Sequence, residues 1–167
     1  MSKAISNKNV ADAKFAPAPF DGPFKAALGR PELKGSWLIF GKSGSGKTTF
    51  ALQLAKYLTR FVDKVAFDSL EQGLSLSMQK AWKRVDMAAA GSKVIFLDKE
   101  SLPELRDRLS KRKSPNVIII DSVICLVGMR LADYQKLMND YPNKLFIFLA
   151  HEDDRGNPSP ALEIGRA

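Results

Sequence analysis

Short apolar runs alternate with stretches of helical apolar spacing along the chain after its first 35 residues. The apolar runs are nearly continuous, which is typical of parallel strands whose two faces are both covered by helices. Their alternation with helical stretches indicates βαβ units, so the predicted fold is α/β, a parallel β-sheet sandwiched by helices. The predicted strands are Ser36 to Phe40, Lys64 to Asp68, Lys93 to Leu97, Asn116 to Asp121 and Lys144 to Ala150.

Three of the intervening stretches predict helices, because apolar residues recur in them every three or four positions. The second of these stretches follows Ser101 and contains Glu104, and this spacing is that of a capping box. The apolar positions are Phe50, Leu54 and Leu58 in the first helix, Leu102, Leu105 and Leu109 in the second, and Tyr134, Leu137 and Met138 in the third.

The first 35 residues hold four of the nine prolines and show no sustained periodicity. We interpret residues 1–35 as a mostly extended N-terminal arm and residues 36–167 as one domain. Phe15, Phe20 and Phe24 are too apolar for a simple spacer. Part of the arm is therefore expected to pack on a surface of this chain or of a neighbouring subunit.

Composition narrows the class of protein. The chain has 167 residues, of which 45% are hydrophobic, and this is enough to build one core. No apolar run approaches the ~18 residues of a membrane span, and the first residues lack the apolar stretch of a secretory signal. We therefore expect a cytoplasmic protein with no membrane partner. The single cysteine, Cys125, excludes an internal disulfide.

The net charge of +8 suits an anionic partner such as nucleic acid, although solubility alone also accounts for a charge of this size.

A glycine-rich segment directly after the first predicted strand matches the pattern GxxxxGK[ST]. Such a segment binds phosphates through backbone N–H groups and the positive end of the following helix. Lys47 would reach the β- and γ-phosphates of ATP, and the Thr48 hydroxyl would hold Mg²⁺. The predicted nucleotide-binding residues are Gly41, Lys42, Ser43, Gly44, Ser45, Gly46, Lys47, Thr48 and Thr49.

A second candidate site residue ends the fourth predicted strand. Val117 to Ile120 are four β-branched residues, and Asp121 follows them at the C-terminal edge of the sheet, where ligands bind. Because Mg²⁺ prefers oxygen ligands, Asp121 and Thr48 together predict the metal site that accompanies ATP. The alternative for Asp121 taken alone is a cap of the next element.

Hydrolysis of ATP requires a group that orients and deprotonates a water molecule. Many P-loop ATPases carry a glutamate directly after the strand-ending aspartate, but Ser122 stands there in this chain. Glu71, just past the second predicted strand, is the candidate for the catalytic base. Its alternative is an exposed carboxylate at the start of the next helix.

These features resemble the ATPase core of the RecA/RadA recombinases: a phosphate loop, a glutamate after the second strand, a strand ending in Asp-Ser and a fifth strand ending in a polar residue. The segments SLEQG, VIIIDSV and KLFIFLAHEDDRGNPSPA are similar to the short RecA-like ATPases of bacteriophages and mobile elements, including the single-strand-annealing group. The resemblance covers about residues 36–167.

That resemblance implies a P-loop NTPase fold of RecA-like type with Lys47 and Glu71 in catalysis. It also makes His151 a sensor of the γ-phosphate. Without the resemblance, this single histidine would be interpreted as an exposed or hydrogen-bonded loop residue.

The chain departs from the family at its end. Members usually continue with further strands beside the phosphate-loop strand, whereas this chain ends at Ala167, just as Ala161 to Arg166 begin a predicted helix. With the family's strand order, 3-2-4-5-1, the strand Ser36 to Phe40 would lie at an edge with unpaired backbone groups. We expect a C-terminally truncated or unusually short form; the alternatives are that the arm or another subunit covers this edge.

The resemblance further implies contact with single-stranded DNA through two loops that carry little positive charge here. The first, residues 124–131, offers Arg130, and the second, residues 151–160, sets three acidic residues against Arg155. A more basic stretch has a solvated helix face as its default interpretation. It comprises Arg106, Arg108, Lys111, Arg112 and Lys113.

Assembly is a further expectation from the resemblance. Relatives polymerise by inserting a Phe-x-x-Ala segment into the next subunit, and Phe24 to Ala27 and Phe15 to Ala18 fit this short pattern. Packing of the arm on its own chain is the alternative.

The sequence thus predicts a Mg²⁺-dependent ATPase that acts on single-stranded DNA in recombination, repair or annealing, as a homo-oligomer. Two alternatives are a P-loop kinase for a small molecule and a module that binds ATP with little turnover.

Overall fold

All five predicted strands are present, and they form one parallel sheet in the spatial order β1-β5-β4-β2-β3. The computed structural model describes residues 4–126 and 129–158. Every strand begins and ends within one residue of its predicted bounds. The strands are β1 (Gly35–Gly41), β2 (Val65–Ser69), β3 (Val94–Leu97), β4 (Val117–Asp121) and β5 (Leu145–His151).

Helices precede the first strand and connect the strands that follow it. The six α-helices among the described residues are α1 (Asn7–Ala11), α2 (Gly22–Leu28), α3 (Lys47–Leu58), α4 (Leu76–Arg84), α5 (Leu102–Ser110) and α6 (Leu131–Asp140). Two 3₁₀ segments, Met87–Lys93 and Val123–Cys125, complete the connections. No helix in the described part of the chain is long and apolar enough to cross a membrane.

The core lies between the helices and the three central strands. Every residue of β2 and β4 is buried, as is all of β5 up to His151. On one face of the sheet, α5 and α6 contribute Leu105, Leu109 and Leu137 to a cluster with Ile118 and Phe146. Helix α3 contacts β1, β2 and β4 and buries five of its residues. The predicted α/β fold is confirmed.

Strand β1 departs from the prediction that every strand is covered on both faces. Its residues alternate between intermediate and exposed, and Leu38 and Phe40 are 45% and 47% exposed. The reason is its position at the edge of the sheet, as the 3-2-4-5-1 order requires. Among residues 4–126 and 129–158, β5 is the strand that pairs with it. The helix predicted from Ala161 lies outside the described residues.

Helix α4 was not predicted, because its apolar signal is weak. Met78 is its fully buried residue, and Ser75 begins the helix by accepting a hydrogen bond from the Met78 backbone N–H at 3.2 Å. Trp82 packs edge-on against Phe67 and Phe96, with ring centroids 6.4 and 5.6 Å apart. These aromatic contacts come from β2 and β3, so tertiary packing stabilises a helix that the sequence pattern does not indicate.

The chain divides into two units, Met1–Leu33 and Lys34–Ala167. The first unit contains the short helices α1 and α2, which the sequence analysis did not predict within an extended arm. The Ala18 N–H donates to the Pro31 carbonyl at 2.8 Å, and the Ala16 N–H donates to the Glu32 carboxylate at 3.0 Å. These bonds join the two ends of residues 16–32, so this part of the arm folds back on itself.

Candidate functional site

The segment from Gly41 to Thr49 joins the C-terminal end of β1 to α3. Gly41 is the last residue of β1, and Lys47 is the first residue of α3. Gly44 and Gly46 have φ angles of 74° and 90°, in the left-handed region where side chains are disfavoured. Gly46 is also the N-cap of α3, so the first N–H groups of the helix lie at the loop without helical acceptors. Such a helix start favours anion binding.

The Lys47 side chain lies along this loop. Its Nζ donates to the carbonyl oxygens of Gly41 and Lys42, each at 2.8 Å. These two bonds bring the ammonium group from the start of α3 back to the start of the loop.

The other predicted loop residues are mostly exposed. Lys42, Ser43 and Ser45 have exposed side chains, and Thr49 is half-buried in the first turn of α3. The Ser45 N–H donates to the Lys42 carbonyl at 3.2 Å and closes a turn within the loop. These residues therefore offer backbone groups to a ligand more than side chains.

Thr48 and Asp121 are brought together from α3 and β4. The Thr48 hydroxyl donates to Asp121 Oδ2 at 2.7 Å. Asp121 is only 4% exposed. Burial raises the pKa of the Asp121 carboxyl, whereas the Thr48 hydrogen bond and the nearby His151 and Lys47 oppose that rise. The pair offers one hydroxyl and one carboxylate oxygen, which is the donor chemistry that Mg²⁺ prefers.

Glu71 and His151 form a second pair beside the first. His151 Nε2 and Glu71 Oε2 are 3.0 Å apart, and both side chains are partly exposed. His151 is the last residue of β5 and lies opposite Gly41 in the register of β1 and β5. The Glu71 N–H donates to the Asp121 carbonyl at 3.1 Å, so Glu71 lies close to the C-terminal end of β4. The structure therefore brings the proposed base, sensor and metal ligand to one edge of the sheet.

Asp68 is a buried carboxyl that the sequence analysis did not select. It is fully buried near the end of β2, where Oδ1 accepts the Glu100 N–H at 3.1 Å and Oδ2 is without a hydrogen-bond partner among the described residues. Burial is the main cause that raises the pKa of Asp68 to about 7. A signal was present in the sequence, because Asp68 ends an apolar run just as Asp121 does.

The basic stretch 106–113 is largely engaged within the protein. Arg108 Nε donates to both carboxylate oxygens of Glu100 at 2.9 and 3.0 Å. Lys111 pairs with Asp107 at 2.8 Å, and Arg106 donates to the Asp133 carbonyl at 3.2 Å. Three of the five basic side chains therefore have partners on the same or a neighbouring helix or loop.

The loop after β5 is acidic and lies beside the phosphate loop. The Glu152 N–H donates to the Gly41 carbonyl at 3.1 Å, and the Glu152 carboxylate lies 4.0 Å from Lys42 Nζ. Asp153 Oδ1 accepts the N–H groups of Arg155 and Asn157, at 2.9 and 2.8 Å. Hydrogen bonds from Asn157 and Arg155 lower the pKa of Asp153, so this loop holds its negative charge.

No group of three or more His, Cys, Asp or Glu side chains within the described ranges is arranged to hold a metal ion by itself.

A family model described as the ATPase family associated with various cellular activities (AAA) matches residues 37–162. The DNA repair and recombination protein RadB of Methanosphaera stadtmanae is 31% identical over 102 residues, which are 57% of this chain and 44% of RadB. The chain thus spans less than half the length of this relative.

Two solved structures share the fold. The flagellar accessory protein FlaH of Methanocaldococcus jannaschii has a TM-score of 0.61 at 17% identity, over 89% of this chain and 76% of that one. The KaiC-like protein PH0186 of Pyrococcus horikoshii OT3 has a TM-score of 0.60 at 19% identity, over 86% of this chain and 73% of that one.

Proposed function

The chain belongs to the ATPase family associated with various cellular activities (AAA) and has a RecA-like P-loop NTPase fold, and from this premise we propose that it binds and hydrolyses magnesium-ATP in order to act on single-stranded DNA. The activity would serve recombination, repair or annealing. The proposal includes assembly into a homo-oligomer and a location in the cytoplasm.

One observation carries the proposal, namely the meeting of three strand ends around the phosphate loop. The Thr48–Asp121 contact of 2.7 Å joins α3 to the end of β4. The Glu71–His151 contact of 3.0 Å joins the loop after β2 to the end of β5. P-loop hydrolysis requires a phosphate-binding loop, oxygen ligands for Mg²⁺ and a residue that positions the attacking water. Here the third part would be the Glu71 carboxylate beside His151.

Mg²⁺ fits Thr48 and Asp121, because each contributes an oxygen and Asp121 is buried beside the start of α3. These two residues would hold the ion, with water and phosphate oxygens as further ligands. When bound, Mg²⁺ offsets negative charge on the β- and γ-phosphates.

The protein's own groups would bind the phosphates and accept the proton of the attacking water. The first N–H groups of α3 would bind phosphate oxygens, and the Lys47 ammonium would exchange its two carbonyl partners for the β- and γ-phosphates. Glu71 would accept a proton from the attacking water at Oε1, while Oε2 stays 3.0 Å from His151 Nε2. Movement of His151 on loss of the γ-phosphate would therefore also move Glu71.

Action on DNA is supported by the relative, whose name describes a DNA repair and recombination protein. Since the chain spans 44% of that protein, the substrate and the partners belong to the proposal.

The test is the rate of phosphate release from ATP by the 167-residue chain, with and without a single-stranded oligonucleotide. We expect slow release that DNA accelerates and that Lys47→Ala abolishes. If ADP forms only in the presence of a small-molecule acceptor, with the phosphoryl group transferred to that acceptor and no free phosphate released, the protein is a kinase and the proposal is overturned.

A second candidate, an ATP-binding module with little turnover, is favoured by Ser122, which stands where many P-loop ATPases carry a glutamate. In that case ATP would raise the melting temperature without phosphate release.

A further inference from the structure

Lysines precede four of the five strands, and the register places them in one row. Gly35 pairs with Leu145, Leu145 with Val117, Val117 with Val65, and Val65 with Val94, so all five strands start at the same level of the sheet. The residues one position earlier are, in spatial order, Lys34, Lys144, Asn116, Lys64 and Lys93. We name these five residues the amino-edge row.

The amino-edge row forms a line of positive charge across the whole sheet. Neighbouring strands lie about 4.8 Å apart, so the row extends for about 19 Å from Lys34 to Lys93. Lys34 and Lys93 are exposed, and Lys64 and Lys144 are partly exposed. Asn116 is the interruption, but Arg112 and Lys113 are exposed in the turn that leads into β4.

Local contacts hold several of these side chains at the edge. Lys144 Nζ donates to Ser114 Oγ and the Pro115 carbonyl at 2.9 and 2.6 Å. Lys64 Nζ donates to the Lys113 carbonyl at 3.4 Å, and Lys93 Nζ donates to the Thr59 carbonyl at 2.9 Å. Each ammonium group carries three N–H donors, so these contacts leave donors for an anion.

Acidic residues are fewer at this edge than at the opposite one. The acidic residues near the strand starts are Asp63, Asp86, Asp107 and Asp140. Asp86 is paired with Lys56 at 3.1 Å and Asp107 with Lys111 at 2.8 Å. At the C-terminal edge, by contrast, the strand ends and the loops that follow them carry eight carboxyl groups: Asp68, Glu71, Asp98, Glu100, Asp121, Glu152, Asp153 and Asp154. A polyanion is therefore attracted to the amino edge and repelled from the loops near the nucleotide site.

The linear arrangement of the lysines favours a nucleic-acid backbone over a membrane as the binding partner. A line of regularly spaced cations suits a linear polymer with one charge per unit. Membrane-surface binding also uses large apolar side chains. Among residues 34–126 and 129–158, the exposed large apolar side chains are Leu38, Phe40, Leu74 and Leu76, which lie within β1 or after the end of β2 and not at the strand starts.

We propose that the amino-edge row binds the phosphate backbone of single-stranded DNA, on the edge of the sheet opposite to the ATP site. The choice of DNA as the polyanion rests on the proposed function. DNA and ATP would then occupy separate sites and bind at the same time.

The test compares two charge-matched triple variants of the 167-residue chain. Lys34→Gln/Lys64→Gln/Lys93→Gln removes three charges from the row and leaves the partly buried Lys144 in place. Lys14→Gln/Lys80→Gln/Lys136→Gln removes three exposed lysines elsewhere. Fluorescence anisotropy measures the affinity for a labelled oligothymidylate over a range of salt concentrations. Melting temperatures and the heat of Mg-ATP binding show that both variants fold.

We expect the row variant to lose at least about tenfold in DNA affinity at low salt. The slope of log K against log salt should fall by about 2, because each phosphate contact on a single strand contributes about 0.7. The control variant should keep both values. Equal affinities and slopes in the two variants, or wild-type binding to anionic vesicles and not to DNA, would overturn the inference. Failure of the proposed ATPase itself would show separately, as absence of phosphate release from Mg-ATP by the wild-type chain.

Discussion

Glu71 and His151 are separated by 80 positions in the chain, yet their side chains meet at 3.0 Å. Glu71→Gln keeps the size of the side chain and its ability to bond to His151 but removes the base. We expect ATP to bind with unchanged affinity and its hydrolysis to fall by about 10²- to 10⁴-fold. Steady-state phosphate release and calorimetry measure the two effects.

Asp154→Asn is the control for Glu71→Gln, because it removes an exposed carboxylate from the loop after β5. It should leave turnover within about twofold of wild type. Full turnover by Glu71→Gln would exclude Glu71 as the base.

Lys47→Ala should abolish measurable binding of ATP, since the ammonium supplies charge-assisted hydrogen bonds to the phosphates. Lys42→Ala is the matched control within the same loop. The Lys42 side chain is 85% exposed and its ion pair with Glu152 is long, at 4.0 Å, so its loss should change the affinity by no more than about threefold. Calorimetry with Mg-ATP measures the affinity of each variant. Equal heats from wild type and Lys47→Ala would contradict the role of Lys47.

Asp68 should make stability depend on pH. Burial raises the pKa of its carboxyl from 3.8 to about 7, so between these values the folded state binds a proton that the unfolded state has lost. The contribution of Asp68 to stability is therefore complete below about pH 4 and is lost as the pH rises through 7.

Asp68→Asn mimics the protonated carboxyl and should remove this dependence. We expect it to match the wild type near pH 4 and to exceed its free energy of unfolding by a few kcal/mol at about pH 8. Urea titrations at both pH values measure the difference. Equal free energies of unfolding of the two proteins at the higher pH would show that burial does not raise the pKa of the Asp68 carboxyl.

At the scale of elements, the loop from β2 to α4 carries Glu71 and depends on Gly73. Gly73 has a φ angle of 59°, and an added Cβ would lie 2.6 Å from Lys99 Cε and 2.7 Å from Asp98 Oδ1. Asp98 Oδ1 also accepts the Leu74 N–H at 2.8 Å. The close packing of this carboxylate on the loop leaves no room for a side chain at position 73.

Gly73→Ala should therefore combine backbone strain with a clash. Gly91→Ala is the control for backbone strain without a clash, since Gly91 has a φ of 57° and a ψ of −142°, and nothing lies within 4 Å of an added Cβ. We expect strain to cost about 1–3 kcal/mol in each variant. The clash should cost Gly73→Ala a further ~1–3 kcal/mol and slow ATP hydrolysis as well. Chemical denaturation measures both costs. Equal losses in the free energy of unfolding would mean that the Asp98 side chain moves away from an added Cβ at no cost.

The edge position of β1 is also an element-scale result. Its exposed positions, Ser36, Leu38 and Phe40, alternate with less exposed ones, although the residues from Trp37 to Phe40 are all apolar. A continuous apolar run thus shows that a strand can be buried, whereas its neighbours decide whether it is.

At the scale of the molecule, Phe24 tests assembly. It lies in α2 and is only partly exposed. If the segment from Phe24 to Ala27 bridges subunits, Phe24→Glu should reduce the solution mass from a multiple of 18.5 kDa to the monomer value. Light scattering with Mg-ATP measures the mass. Ile5→Glu, a change at an exposed apolar residue of the same unit, is the control and should leave the mass unchanged. An unchanged mass for Phe24→Glu would end the bridging hypothesis.

Charge is distributed by the fold and not by local sequence. Lysines that precede separate strands gather on one edge of the sheet, and carboxylates that follow strands gather on the other. The chain therefore has a net charge of +8, but the two edges of its sheet carry charges of opposite sign.

The sequence by itself determined the strands, helices α3, α5 and α6, and the phosphate loop, because each depends on spacing within a few residues. Strand bounds follow from apolar runs, and the loop follows from glycines and Lys47 between a strand and a helix. Helix α4 was not predicted, because contacts with β2 and β3 stabilise it and its own apolar periodicity is weak.

Only the tertiary structure decided which distant groups meet and which are removed from water. The Thr48–Asp121 and Glu71–His151 pairs, the buried state of Asp68 and the common level of the four lysines all follow from strand order and register. Distances across a sheet depend on which strands pair, and a group's pKa depends on the burial that results. Neither quantity is contained in the spacing of residues along the chain.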